Sequence, residues 1–193
     1  MIGSNRWLYW ITLVGYLSLQ NAFSDDLTLP LLRQQLRNHG KVSGEFLQCV
    51  KQGVSTISGR GRFTVQPGKW INLDYELPKP STLRFFSDGT ESRTVDGIEQ
   101  ESPNYSPLSS LIFSIINLDD SVITSRFEIE LRGAENEFDL SLTPKGRLKK
   151  RLRSVKVTGT DDMINFIQIT TEDNRKISIF LSPPGHFSGI SCE

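Results

Sequence analysis

From Val42 to Leu181 apolar and polar residues alternate with a period of two, and this alternation most constrains the fold. In a strand, successive side chains point to opposite faces, so alternation over five to ten residues marks a sheet with one covered face. The pattern runs through Val42–Lys51, Gly59–Gln66 and Trp70–Leu77, and resumes at Arg126–Leu131, Glu137–Thr143, Leu152–Thr158, Met163–Thr171 and Lys176–Leu181. Turn residues separate the runs: Pro67-Gly68, Pro78-Lys79-Pro80, Asp88-Gly89 and Asp96-Gly97, then Gly159–Asp162 and Glu172–Arg175. Short strands joined by tight turns build an antiparallel sheet. No repeat, low-complexity tract or linker divides it.

Two segments have a helical period instead. Asp25 to His39 carries Leu29, Leu32 and Leu36 on one face, with Thr28 at the N-cap, Pro30 in the first turn and Gly40 as the stop. Ser106 to Asn117 opens with a cap and Pro107, then places Leu108, Leu111, Ile112 and Ile115 on one stripe. Phe113 and Ile116 widen that stripe, so this helix needs covering on most sides. The expected fold is mainly β with helices (α+β): an incomplete, strongly curved antiparallel β-barrel of about ten or eleven strands. The N-terminal helix and the mid-chain helix cover its mouth.

The first 24 residues read as a secretory leader. Arg6 precedes the uncharged stretch Trp7–Leu19, and Ala22-Phe23-Ser24 sets small residues around a cleavage point ahead of Asp25-Asp26. The apolar stretch is short of the roughly 20 residues that span a bilayer. No cysteine follows it, so a lipid-modified N-terminus is not expected. The expected organisation is a leader over residues 1–24 and one domain over 25–193, exported and soluble. Loss of Arg6 leaves 21 basic against 22 acidic residues. That balance gives no reason to expect nucleic acid as a partner. Both cysteines lie beyond the leader; in an oxidising compartment Cys49 and Cys192 form either a disulfide or two independent thiols.

Catalytic signals are sparse. Of two histidines, His39 ends a helix and His186 follows Pro183-Pro184-Gly185. No zinc-ligand spacing, nucleophile elbow, phosphate loop or dinucleotide fingerprint occurs, so neither an enzyme nor a cofactor is expected. Gly59-Arg60-Gly61-Arg62 reads as strand, and Asp119-Asp120 and Asp161-Asp162 read as solvated turns. The one charge concentration is Lys145, Arg147, Lys149, Lys150, Arg151 and Arg153. It is either an exposed loop or a patch for anionic headgroups or an acidic partner. Apolar residues on one strand face fill a plain core or line a cavity for an acyl chain, and periodicity does not separate the two.

The order of short motifs adds a resemblance. Phe46-Leu47-Gln48, Gly59-Arg60-Gly61-Arg62-Phe63, Gln66-Pro67-Gly68-Lys69-Trp70, Leu73-Asp74-Tyr75, Pro78 and Ser87-Asp88-Gly89 follow one another as in the periplasmic lipoprotein carrier family LolA. Ser106–Ile116 sits where that family has its lid helix. Phe138–Lys145 resembles its F-x-L-x-P-K strand, and Asp173, Arg175 and Ile177–Phe180 resemble its closing strands. The resemblance covers essentially the whole chain after the leader. It implies a half-barrel that shields lipoprotein acyl chains, receives them from an inner-membrane transporter and hands them to an outer-membrane receptor. It implies a monomer in the periplasm that catalyses nothing. Phe63, Val65, Ile71, Leu73, Tyr75, Leu83 and Phe85 would line the cavity, with Leu108, Leu111, Ile112 and Ile115 from the lid. Where the family has an arginine that ties barrel to lid, this chain has Gln66, and the strand after Trp70 is one residue longer. A different cargo, such as a glycolipid, is therefore the alternative within the family. Outside it stands a sensor of lipidated proteins of the RseB type.

Overall fold

A computed structural model describes residues 27–102, 107–134, 136–160, 163–185 and 191–192, without the side chains of residues 101–102, 107–109 and 134. The leader, Asp25-Asp26, Ser106, Asp161-Asp162 and His186 lie outside the described residues, as does the side chain of Leu108.

Eleven antiparallel strands form one open sheet in the order β6-β5-β4-β3-β2-β1-β11-β10-β9-β8-β7. Their ranges are β1 Val42–Gln52, β2 Ser55–Gln66, β3 Trp70–Leu77, β4 Ser81–Phe86, β5 Glu91–Val95 and β6 Ile98–Ser102. The second half is β7 Phe127–Ala134, β8 Glu137–Pro144, β9 Leu152–Thr160, β10 Ile164–Thr171 and β11 Lys176–Ser182. The chain meanders from β1 out to one edge at β6. It then crosses to the opposite edge at β7 and meanders back until β11 pairs with β1. That crossing must bridge the two edges, and two helices make it: α2 (Pro107–Ile116) and α3 (Asp120–Arg126). The topology thus lays an apolar helix across the hollow of the sheet.

The N-terminal helix, α1, spans Leu29–Asn38 rather than starting at Asp25. Thr28 is its extended N-cap, but its side chain makes no capping hydrogen bond. Gly40 follows with φ +67°, the left-handed conformation that ends helices. Leu29 and Leu32 are buried against the sheet.

Alternation becomes burial along the strands. Phe46, Phe63, Val65, Ile71, Leu73, Phe85, Leu140, Val155, Ile167 and Ile179 belong to one buried cluster on the concave face. Curvature comes partly from a bulge between β2 and β3. Arg60 pairs with Leu77 and Gly61 with Tyr75, so Glu76 is left over. A side chain at Gly61 would overlap the Asp74 carbonyl, so only glycine permits this close approach. β2 starts at Ser55, four residues before the readable alternation, because its first four residues are exposed on both faces.

On the convex side Phe166 and Phe180 stack with ring centres 4.9 Å apart. Cys49 of β1 and Cys192 are joined by a disulfide with Cα atoms 5.5 Å apart, closing a separation of 143 residues. The bond staples the end of the chain to the central strand.

Candidate functional site

The concave face and α2 form one apolar body. Leu111, Ile112 and Ile115 are all buried, Ile115 completely, among Phe63, Ile71 and Phe85 from the strands. Val65 and Leu73 are buried in the same cluster, and Tyr75 and Leu83 pack against it half-buried. Phe46 meets the Tyr75 ring edge-on at 4.8 Å. The Tyr75 hydroxyl donates to Gln48 Oε1 at 2.8 Å, and burial pushes its pKa up against the opposing pull of Arg93. The sheet side of the hollow is therefore oily except where Gln48 and Tyr75 share a cavity with Glu91 and Arg93 of β5.

The lid lies closed. Under its C-terminal end, between Leu36, Phe63, Val65, Ile116 and Leu181, only about 40 Å³ remains. That is space for about three waters and none for an acyl chain. At this end an apolar ligand must displace α2, whose side chains occupy the surface that the ligand would cover.

What fastens the lid is polar. Asn117, buried at the end of α2, accepts a hydrogen bond at Oδ1 from the Gly68 amide at 2.6 Å and donates from Nδ2 to the Phe113 carbonyl at 2.9 Å. Gly68 sits in the β2–β3 turn at φ +72°, with the Arg37 guanidinium of α1 beside it. Gln66 is half-buried two residues earlier and has no side-chain bond to the lid among the described residues. The tie between turn and lid falls on Gly68 and Asn117.

Asp119-Asp120, read from sequence as a turn, opens α3. Asp119 is the N-cap and accepts from the Val122 amide. Burial pushes the Asp119 carboxyl up. Hydrogen bonds from Ser121 and Val122, with the Arg33 guanidinium of α1, outweigh that and hold it below the ordinary carboxylate value. A lowered folded-state pKa contributes stability above the unfolded value of about 3.8, and that contribution fades as pH falls through the folded value. Asp119→Asn should therefore cost melting temperature at neutral pH, and the gap to wild type should close below pH 4. A gap unchanged at pH 3 would refute the role given to this carboxylate.

The basic run divides. Lys145 donates from Nζ to the Thr124 carbonyl, and Arg153 bonds the Asn174 amide oxygen at 2.7 Å. Arg147, Lys149 and Lys150 lie on a 3-10 turn over Gly146–Lys150, and Arg151 follows it. Asn117 and the capped helix α3 were not marked in the sequence; the signal available was an Asn at the last turn of an apolar helix and an Asp just before the next one. Among the described residues no three of His, Cys, Asp and Glu gather to hold a metal ion, and no helix is long and apolar enough to cross a membrane.

An open sheet with an oily concave face, crossed by a fastened apolar helix, defines the class of lidded half-barrels. Within that class, the family model for outer membrane lipoprotein carrier protein LolA matches residues 37–185. The chain belongs to the LolA family. No curated protein matches it. Among solved structures, a LolA superfamily protein from Nitrosomonas europaea is similar at 8% identity and TM-score 0.46, over 81% of this chain and 92% of that one. The MucA/MucB complex of Pseudomonas aeruginosa matches at 10% identity and TM-score 0.47, over 80% of this chain and 56% of that one.

Proposed function

We propose that this protein is a periplasmic carrier that shields the acyl chains of lipoproteins, or of a related lipid, inside its half-barrel. It takes cargo from an inner-membrane transporter and yields it to an outer-membrane receptor, with residues 1–24 as its cleaved leader and 25–193 as the carrier domain. Phe63, Val65, Ile71, Leu73, Tyr75, Leu83 and Phe85 form the acyl-bearing wall, and Leu108, Leu111, Ile112 and Ile115 form the lid. The observation that carries this reading is an apolar helix tied to the β2–β3 turn by the Asn117–Gly68 bond over a largely apolar face, in a member of the LolA family.

The energetics suit the task. Each methylene kept from water is worth about 0.8 kcal/mol, so a sixteen-carbon chain needs an apolar partner worth on the order of 12 kcal/mol. The closed lid offsets part of that gain, because its own side chains leave the surface when cargo enters. Binding is thereby weakened enough for hand-over.

Incubating the purified protein with spheroplasts that retain newly made lipoproteins tests this. The expected result is lipoprotein in the supernatant, co-eluting with the protein as a one-to-one complex. Lipoprotein that stays with the membrane at every protein concentration would overturn the reading.

A further inference from the structure

At the end of the half-barrel away from Gly68, a second cavity of about 430 Å³ opens beside Leu111 of the lid. The strand register puts it there. Ile177 pairs with Val50 and Thr171 with Leu152, at the opposite end of the sheet from Val42 and Val65. Its floor is apolar: Leu111 of the lid, Leu152 and Ile177 are buried, and Leu148 is half-buried.

The rim is charged. Asp173 and Glu172 lie on it, with Arg175, Lys150 and Arg151. Asp173 is already engaged: it accepts from the Thr171 hydroxyl and pairs with Arg175 at 3.5 Å. The hairpin is fastened to the basic turn by the Glu172 amide, which donates to the Arg151 carbonyl at 3.1 Å. Lys150 and Arg151 are exposed and pair with no carboxylate among the described residues, and Arg147 and Lys149 stand beside them, unpaired in the same way. Among the described residues Lys150 and Arg151 thus stand free of ion pairs beside the oily floor, against one unpaired carboxylate on the same rim, Glu172.

We propose that this cavity is the headgroup end of the cargo site, and that it selects amphiphiles whose headgroup is anionic. The acyl chain lies over Leu152 and Ile177 in the path that α2 vacates, while the headgroup oxygens stay at the rim and meet Lys150 and Arg151. This rests on the carrier reading above and narrows its cargo class. Ammonium and guanidinium groups at a half-wet rim favour a phosphate or carboxylate without a large desolvation cost.

Chain-matched probes below their micelle concentration test it: dodecyl phosphate, dodecyl maltoside and inorganic phosphate, each titrated calorimetrically. Wild type should bind dodecyl phosphate about tenfold more tightly than dodecyl maltoside at low salt, as two partly exposed charge contacts supply. Rising salt should shrink the preference. The Lys150→Gln/Arg151→Gln double variant should lose it while binding dodecyl maltoside as wild type does; both positions are exposed, so the fold is unaffected. Equal binding of the two amphiphiles by wild type, or a preference that survives the double variant, overturns the headgroup site and leaves the carrier reading standing. Inorganic phosphate binding as tightly as dodecyl phosphate also overturns it, because the site would then serve a small anion. If neither amphiphile binds, the carrier reading itself falls.

Discussion

Replacing Asn117 by alanine should tighten binding of a fluorescent acyl probe while making the protein less stable. Asn117 is buried and holds the Gly68 amide at 2.6 Å. Gly68 is exposed, so water takes over its amide and the closed state loses the net worth of one hydrogen bond, about 0.5–1.5 kcal/mol. If the open state lacks this bond, the whole cost falls on the closed one. The binding-competent fraction then rises by the same free energy, so apparent affinity rises roughly 2- to 13-fold. The melting temperature should drop by about 1–6 °C over the same range. A probe titration and a thermal melt on one preparation decide the matter. Affinity that is unchanged or weaker in Asn117→Ala would show that the bond does not fasten the lid. Affinity and stability moving in opposite directions is a result that a simple core defect does not give.

Reducing the Cys49–Cys192 bond should produce the largest loss of stability. It closes a loop of 143 residues. On the chain-entropy account, restoring that freedom to the unfolded chain lowers unfolding free energy by roughly 5 kcal/mol at 25 °C. Urea titrations with and without reductant, or of Cys49→Ala/Cys192→Ala against wild type, measure it. The denaturant slope should steepen on reduction, because the freed unfolded chain exposes more surface. Coincident curves would show that the bond constrains nothing. Cys49 lies on the convex side of β1, whereas Phe46 faces the lid. Reduction should therefore act on global unfolding and leave the acyl affinity of the folded protein unchanged.

The strands were legible because alternation is a local signal that burial on one face enforces residue by residue. Phe63, Val65, Ile71 and Leu73 fall inside for that reason. α3 was not legible: seven residues are too few to show a period of 3.6, and Asp119-Asp120 suits a turn as well as a cap. The tie at Asn117 was hidden more deeply, since it joins residues 49 apart and one partner is a backbone amide without a side-chain signature. Gln66 stands out in the sequence only by its place in the family's order of motifs. Periodicity also gave no sign of whether α2 lies on the strand wall or away from it. Leu111, Ile112 and Ile115 read alike in both cases, and only the fold shows them filling the hollow.

A closed barrel has a girth fixed by its strand number and stagger. In this sheet β6 and β7 are the two ends, and no described strand joins them. The girth is set instead by whatever spans the gap, which at present is α2 and α3. Rolling the free margins apart alters the bore without breaking a single ladder hydrogen bond. On the carrier reading, one sheet of eleven strands would take a slender guest or a bulky one, its circumference following the load.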